Sequence, residues 1–81
     1  MIRVLRMTKL EGMDKAKAFV DLEVNDLKIR GFKIVDNGHG LFVAYPQEKG
    51  KDNKYYDIVY PVTQDLETII KETVLNYYLS H

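Results

Sequence analysis

The sequence has no cysteine, only two prolines and no apolar run of membrane-spanning length. Without thiols, neither a disulfide framework nor thiolate metal ligation is available. That absence fits a reducing compartment, and the chain is expected to be cytoplasmic. Charged residues break every apolar stretch well short of the ~20 residues a spanning helix needs. Arg3 and Arg6 interrupt residues 1–6 in the same way, so this stretch does not read as a signal peptide. Charge of one sign is also missing, because 12 basic and 12 acidic side chains cancel. The chain therefore lacks the overall cationic field of many nucleic-acid binders. There is no Gly-x-Ser-x-Gly, no phosphate-cradling glycine loop and no nucleophile–base arrangement. The chain reads as a non-enzyme without a cofactor.

What is present is a strongly patterned short chain. Eighty-one residues make one domain, residues 1–81, near the lower size limit for folding without staples. Residues 34–61 organise it. Two apolar runs flank Asp36-Asn37-Gly38-His39-Gly40, whose Gly and Asn residues tolerate the positive φ of a tight reversal. Residues 41–45 read as a strand closed by Pro46, and residues 55–60 as a second strand closed by Pro61.

Upstream, residues 2–10 read as a strand. Arg3, Arg6 and Lys9 do not share one face by strict alternation, which predicts an edge or a local irregularity. Residues 11–15 read as a turn with Gly12 at positive φ. Residues 16–24 alternate cleanly: Ala16, Ala18, Val20, Leu22 and Val24 on a core face, Lys17, Phe19, Asp21 and Glu23 on the other. Asn25-Asp26 is a two-residue hairpin turn. In residues 27–36 the apolar phase switches between Leu27/Ile29 and Phe32/Ile34, which predicts a bulge at Gly31. Residues 46–54 hold no apolar anchor after the proline and are expected to form an exposed, mobile loop.

From Thr63 the period becomes helical, with Leu66, Ile69, Ile70, Thr73, Val74, Tyr77 and Tyr78 as one stripe and Thr63 or Asp65 as N-cap. The fold class that follows is α+β: an antiparallel sheet of four or five strands, a meander of hairpins, with one C-terminal helix packed on one face. The other face, expected to carry Phe19 together with Phe32 or tyrosines, has no helix to hide it. A sheet-mediated homodimer is the simplest closure.

The central stretch resembles the stage V sporulation protein G (SpoVG) family of candidate septation regulators. That family carries a Gly-Leu-Phe-Val-Ala-Met-Pro segment, a basic loop, an Asp-Ile-x-His-Pro segment and a helix. Here stand Gly40-Leu41-Phe42-Val43-Ala44-Tyr45-Pro46, then Asp57-Ile58-Val59-Tyr60-Pro61, then Val74-Leu75-Asn76-Tyr77. Tyr45 replaces the family's Met, Gln47 its Ser and Tyr60 its His, and Glu48 places an acid in the pair of residues that the family fills with cations. The resemblance implies a small dimeric bacterial regulator of sporulation, septation or gene expression that binds nucleic acid, DNA or RNA.

The residues offer two places for such contact. Lys49, Lys51 and Lys54, followed by Tyr55 and Tyr56, form a cationic hook beside rings able to stack on bases. The plainer reading is a solvated loop whose lysines keep a sheet edge soluble. Lys28, Arg30 and Lys33, with Arg3 and Arg6, make a basic stripe if the first and third strands adjoin. Otherwise they are ordinary strand charges facing Asp21, Glu23 and Asp26 across a hairpin. His39, between two glycines, reads as turn chemistry rather than a metal ligand, and Asp57 as a local hydrogen-bond acceptor rather than a general base. A protein-interaction module without nucleic-acid binding is the alternative function.

Overall fold

The uninterrupted alternation of residues 16–24 becomes the centre of the sheet. The computed structural model describes residues 1–12 and 14–81. Met13, within the turn expected over residues 11–15, lies outside the described residues; Gly12 beside it has φ +121°. The strands are β1 (Ile2–Lys9), β2 (Ala16–Val24), β3 (Leu27–Asp36), β4 (Leu41–Ala44), β5 (Gln47–Lys49) and β6 (Tyr55–Asp57), followed by α1 (Gln64–Ser80). The first four form an antiparallel sheet in the order β1-β2-β3-β4, while β5 and β6 pair separately as a two-stranded ribbon. The fold is α+β, as the pattern predicts.

Three irregularities interrupt the regular pairing of the sheet. Val4 faces Leu22 and Arg6 faces Asp21, so Leu5 is the extra residue of β1, which is also an edge strand. Val20 faces Phe32 whereas Leu22 faces Ile29, placing an extra residue of β3 at Arg30-Gly31, with Gly31 at φ +98°. Ala16 faces Val35 and Ala18 faces Ile34, which makes Lys17 the extra residue of β2 and turns Ala16, expected on the core face, to the side of Val35 and Phe42. Each bulge resets the pleat, so that Leu27, Ile29, Phe32 and Ile34 share the helix side despite their phase switch. The β2–β3 turn needs no glycine, because Asn25 and Asp26 themselves adopt φ +49° and +69°.

The helix starts at Thr63, whose side chain accepts from the Leu66 amide at 3.2 Å, with Asp65 and Glu67 at the positive end of the helix dipole. Its 17 residues span about 25 Å and approach both edge strands, β1 and β4. Ile70 and Val74 join Ala18, Val20, Leu22, Phe32 and Ile34 in the buried core, with Leu66, Leu75 and Tyr78 against it. Ala18 is small and fully buried in the same core. Burying each of the large members contributes about 1.5–3 kcal/mol.

Four expectations are corrected. Phe32 is fully buried under the helix, so it cannot belong to the open face; Phe42, opposite Val35, does. Ile69 is 49% exposed and lies off the helix stripe. The segment after Pro46 is exposed as expected, but it is not an unpaired loop, since Gln47–Lys49 pairs with Tyr55–Asp57. The strand expected over residues 55–60 stops at Asp57.

Candidate nucleic-acid interface

Pro46 sets the position of the ribbon. It is buried, its Cβ lies 3.4 Å from where a side chain on Gly31 would begin, and its carbonyl accepts from the Ile58 amide at 2.8 Å. β4 pairs only with Lys33 to Asp36 of β3. Beyond Ala44 the chain crosses Gly31 and leaves the sheet, opening a concavity of about 450 Å³ between β3 and the ribbon. Its lining includes Arg30, Lys33, Tyr45, Gln47, Tyr55 and Ile58.

The ribbon has two unlike faces. Gln47 opposes Asp57 and Lys49 opposes Tyr55 on the face towards β3, and Glu48 opposes Tyr56 on the other. Both tyrosine rings are exposed, 64% for Tyr55 and 53% for Tyr56, although strand alternation predicts one of them inside. The reason is that the ribbon stands clear of the core and has no buried side. Tyr56 is tied down, its hydroxyl donating to Asp52 in the β5–β6 turn. This bond holds the Asp52 carboxyl below its ordinary range, helped by the Lys54 amide, and lifts the Tyr56 phenol above its own. Tyr55 has no such tether. Gly50 completes the turn, since a Cβ there would sit 2.9 Å from both the Tyr56 ring and the Asp52 carboxylate.

The six cations singled out in the sequence divide into groups. Lys49, Lys51 and Lys54 sit on the ribbon and its turn, all exposed. Arg30 and Lys33 line the concavity facing that ribbon, a proximity invisible in the sequence, while Lys28 lies opposite Glu23. Among the described residues the only ion pair within 4.0 Å is Arg3–Glu23, at 2.7 Å, so none of the six is neutralised by a carboxylate at that distance. The basic stripe linking Lys28, Arg30 and Lys33 to Arg3 and Arg6 is interrupted by acids, although Arg6 and Arg30 both line a shallow concavity beside Asp21 and Phe19. β2 separates β1 from β3 and inserts Asp21 and Glu23 between them. Lys33 instead extends over the Phe19 ring at 5.8 Å.

Two neighbours, Gln47 and Tyr45, stand out in the sequence only as departures from the family pattern. Gln47 donates to Asp57 at 2.8 Å, giving that carboxylate a local role. Tyr45 packs edge-on against Phe32 with centroids 5.5 Å apart. Burial, with Glu67 and Asp57 adding to it, pushes the Tyr45 phenol above its usual value, so it remains a donor at neutral pH. The substitution of a polar-tipped ring at this family position was the available signal. His39 serves its turn, where its amide donates to Asn37 and that of Gly38 to Asp36, both at 2.9 Å.

The SpoVG family model matches residues 1–80. The chain belongs to the SpoVG family. A candidate septation protein SpoVG of Symbiobacterium thermophilum is 37% identical over 75 residues, covering 91% of this chain and 54% of that protein. A second, from Listeria monocytogenes, is 32% identical over 74 residues, covering 91% of this chain and 72% of that protein. A third, from Fusobacterium nucleatum, is 32% identical over 79 residues, with 94% and 85% covered. The chain thus spans little more than half the length of the first of these SpoVG relatives. Their names place them in septation rather than in an enzyme class. Among the described residues, no helix is long and apolar enough to cross a membrane.

Proposed function

We infer that this chain is a small, cytoplasmic, homodimeric regulatory protein that binds nucleic acid, DNA or RNA, mainly through phosphates and acts in septation, sporulation or gene expression. The observation that carries the reading is a set of cations with no carboxylate within 4.0 Å among the described residues: Arg30 and Lys33 line the concavity beside the ribbon, and Lys49, Lys51 and Lys54 stand exposed on the ribbon and its turn. Phosphate contacts of this kind fix a protein on nucleic acid without reading its sequence. Membership of the SpoVG family supports the regulatory role. Homodimerisation is supported by Phe19, 45% exposed, and by Phe42 on the face that α1 leaves open.

The test is a binding titration of short single- and double-stranded oligonucleotides at low salt, run on the native chain and on a Lys49→Ala/Lys51→Ala/Lys54→Ala variant. Micromolar binding by the native chain and a loss of tenfold or more in the variant are expected. Equal binding by both proteins rejects the ribbon as the phosphate contact. A second reading, a protein-interaction module, is favoured by the exposed side chains of Ile58, Tyr60 and Val62 between the ribbon and the helix. In that case neither oligonucleotide binds and a constant protein partner is recovered.

A further inference from the structure

We propose that the concavity between β3 and the ribbon is a subsite for one unpaired nucleotide, with Tyr55 as the stacking ring and Arg30 and Lys33 as the phosphate clamp, so that the protein selects single strands over duplex. This rests on the nucleic-acid reading above and deepens it. Three features converge on the same space. Tyr55 presents an exposed ring with no side-chain hydrogen bond among the described residues, whereas Tyr56 is on the opposite ribbon face and committed to Asp52. Arg30 and Lys33 reach the concavity from the β3 wall, and Lys49 is the cross-strand partner of Tyr55. Polar groups are also at hand: Gln47 spends its amide N–H on Asp57 and keeps its carbonyl oxygen as an acceptor, and the Tyr45 hydroxyl is a protonated donor.

The choice of single strand follows from which surfaces a base exposes. In a duplex the base faces are covered by neighbouring pairs, leaving only groove edges and phosphates to a protein. A ring set in a concavity of about 450 Å³ gains its contact only from an unstacked base. The guanidinium of Arg30 and the ammonium of Lys33 then meet the phosphates flanking that base. The Gly31 bulge is what makes room, because it lets Pro46 close against β3 and swings the ribbon out to form the opposite wall. The shared chemistry is a base face with an adjoining phosphate, which DNA and RNA single strands both supply.

The experiment measures fluorescence anisotropy of labelled oligo-dT, oligo-U and a duplex of equal length, against the native chain, Tyr55→Leu, Tyr55→Phe and Arg30→Gln. Expected are tighter binding of both single strands than of the duplex, and a loss of roughly tenfold for single strands in Tyr55→Leu. Tyr55→Phe keeps the ring and should bind as the native chain does. Arg30→Gln should flatten the salt dependence for single strands by about 0.7 in log–log slope. Preference for oligo-dT or oligo-U over the other assigns the natural strand, and either preference supports the subsite. Equal affinity for single strand and duplex, with Tyr55→Leu unchanged, overturns the subsite while leaving phosphate binding intact. Absence of salt-sensitive binding to every oligonucleotide removes phosphate binding itself, and the subsite with it.

Discussion

At Gly31 the backbone runs at φ +98°, and Pro46 lies 3.4 Å from where a Cβ would stand. Gly31→Ala is expected to cost about 1–3 kcal/mol through the strained φ, read by chemical denaturation, and to disturb the ribbon seat. An unchanged unfolding midpoint would contradict that. At the ribbon tip, the Tyr56–Asp52 bond has a definite pH window. Asp52 titrates below its unfolded value, so its contribution is present above the ordinary carboxylate range and is lost as pH falls through the lowered value. Tyr56 titrates above its unfolded value, so its contribution is present below about pH 10 and is lost as pH rises through the raised one. NMR signals of the Tyr56 ring and the Lys54 amide should hold steady between those limits and move outside them. A Tyr56 midpoint equal to that of a free tyrosine would contradict the bond.

Among the elements, the helix offers the sharpest contrast. Ile69 and Ile70 are adjacent and chemically identical, yet one is half exposed and the other buried against the sheet. Ile70→Ala should cost about 2–5 kcal/mol and Ile69→Ala within about 0.5 kcal/mol in thermal or denaturant unfolding. Similar costs for both would rotate the helix relative to this packing. Spacing alone could not separate the pair, because both satisfy i, i+3, i+4, and only the width of the contact with the sheet decides. Where one side of an element is buried, its sequence was largely readable: β2 alternates from Ala18 to Val24, with only the bulge at Lys17 unannounced, and the phase switch in β3 marks the bulge at Gly31. The ribbon was unreadable for the opposite reason. Gln47, Glu48 and Lys49 are polar on both faces, so no alternation exists to detect. Tyr55 and Tyr56, adjacent in such a ribbon, both face water. The meeting of Arg30 and Lys33 with Tyr55 depends on where Pro46 turns the chain, which no local pattern encodes.

At the scale of the whole molecule, a single helix covers one face of a four-stranded sheet and leaves Phe19 and Phe42 on the other. Closure by a second copy predicts, by light scattering at micromolar concentration, twice the 9.5 kDa of one chain; the mass of one chain would exclude the homodimer. Charge matters at this scale too. Basic and acidic residues balance over the chain, so attraction to a polyanion cannot come from net charge and must come from where the cations gather. The candidates are Arg30 and Lys33 on the concavity, with Lys49, Lys51 and Lys54 on the adjoining ribbon and its turn. The most direct measurement is therefore the slope of log affinity against log salt for a single-stranded oligonucleotide. Five phosphate contacts predict a slope of roughly −3.5, and removing the three ribbon lysines should make it shallower by about 2. A slope near zero, or one that the triple variant leaves unchanged, would contradict phosphate recognition by this surface.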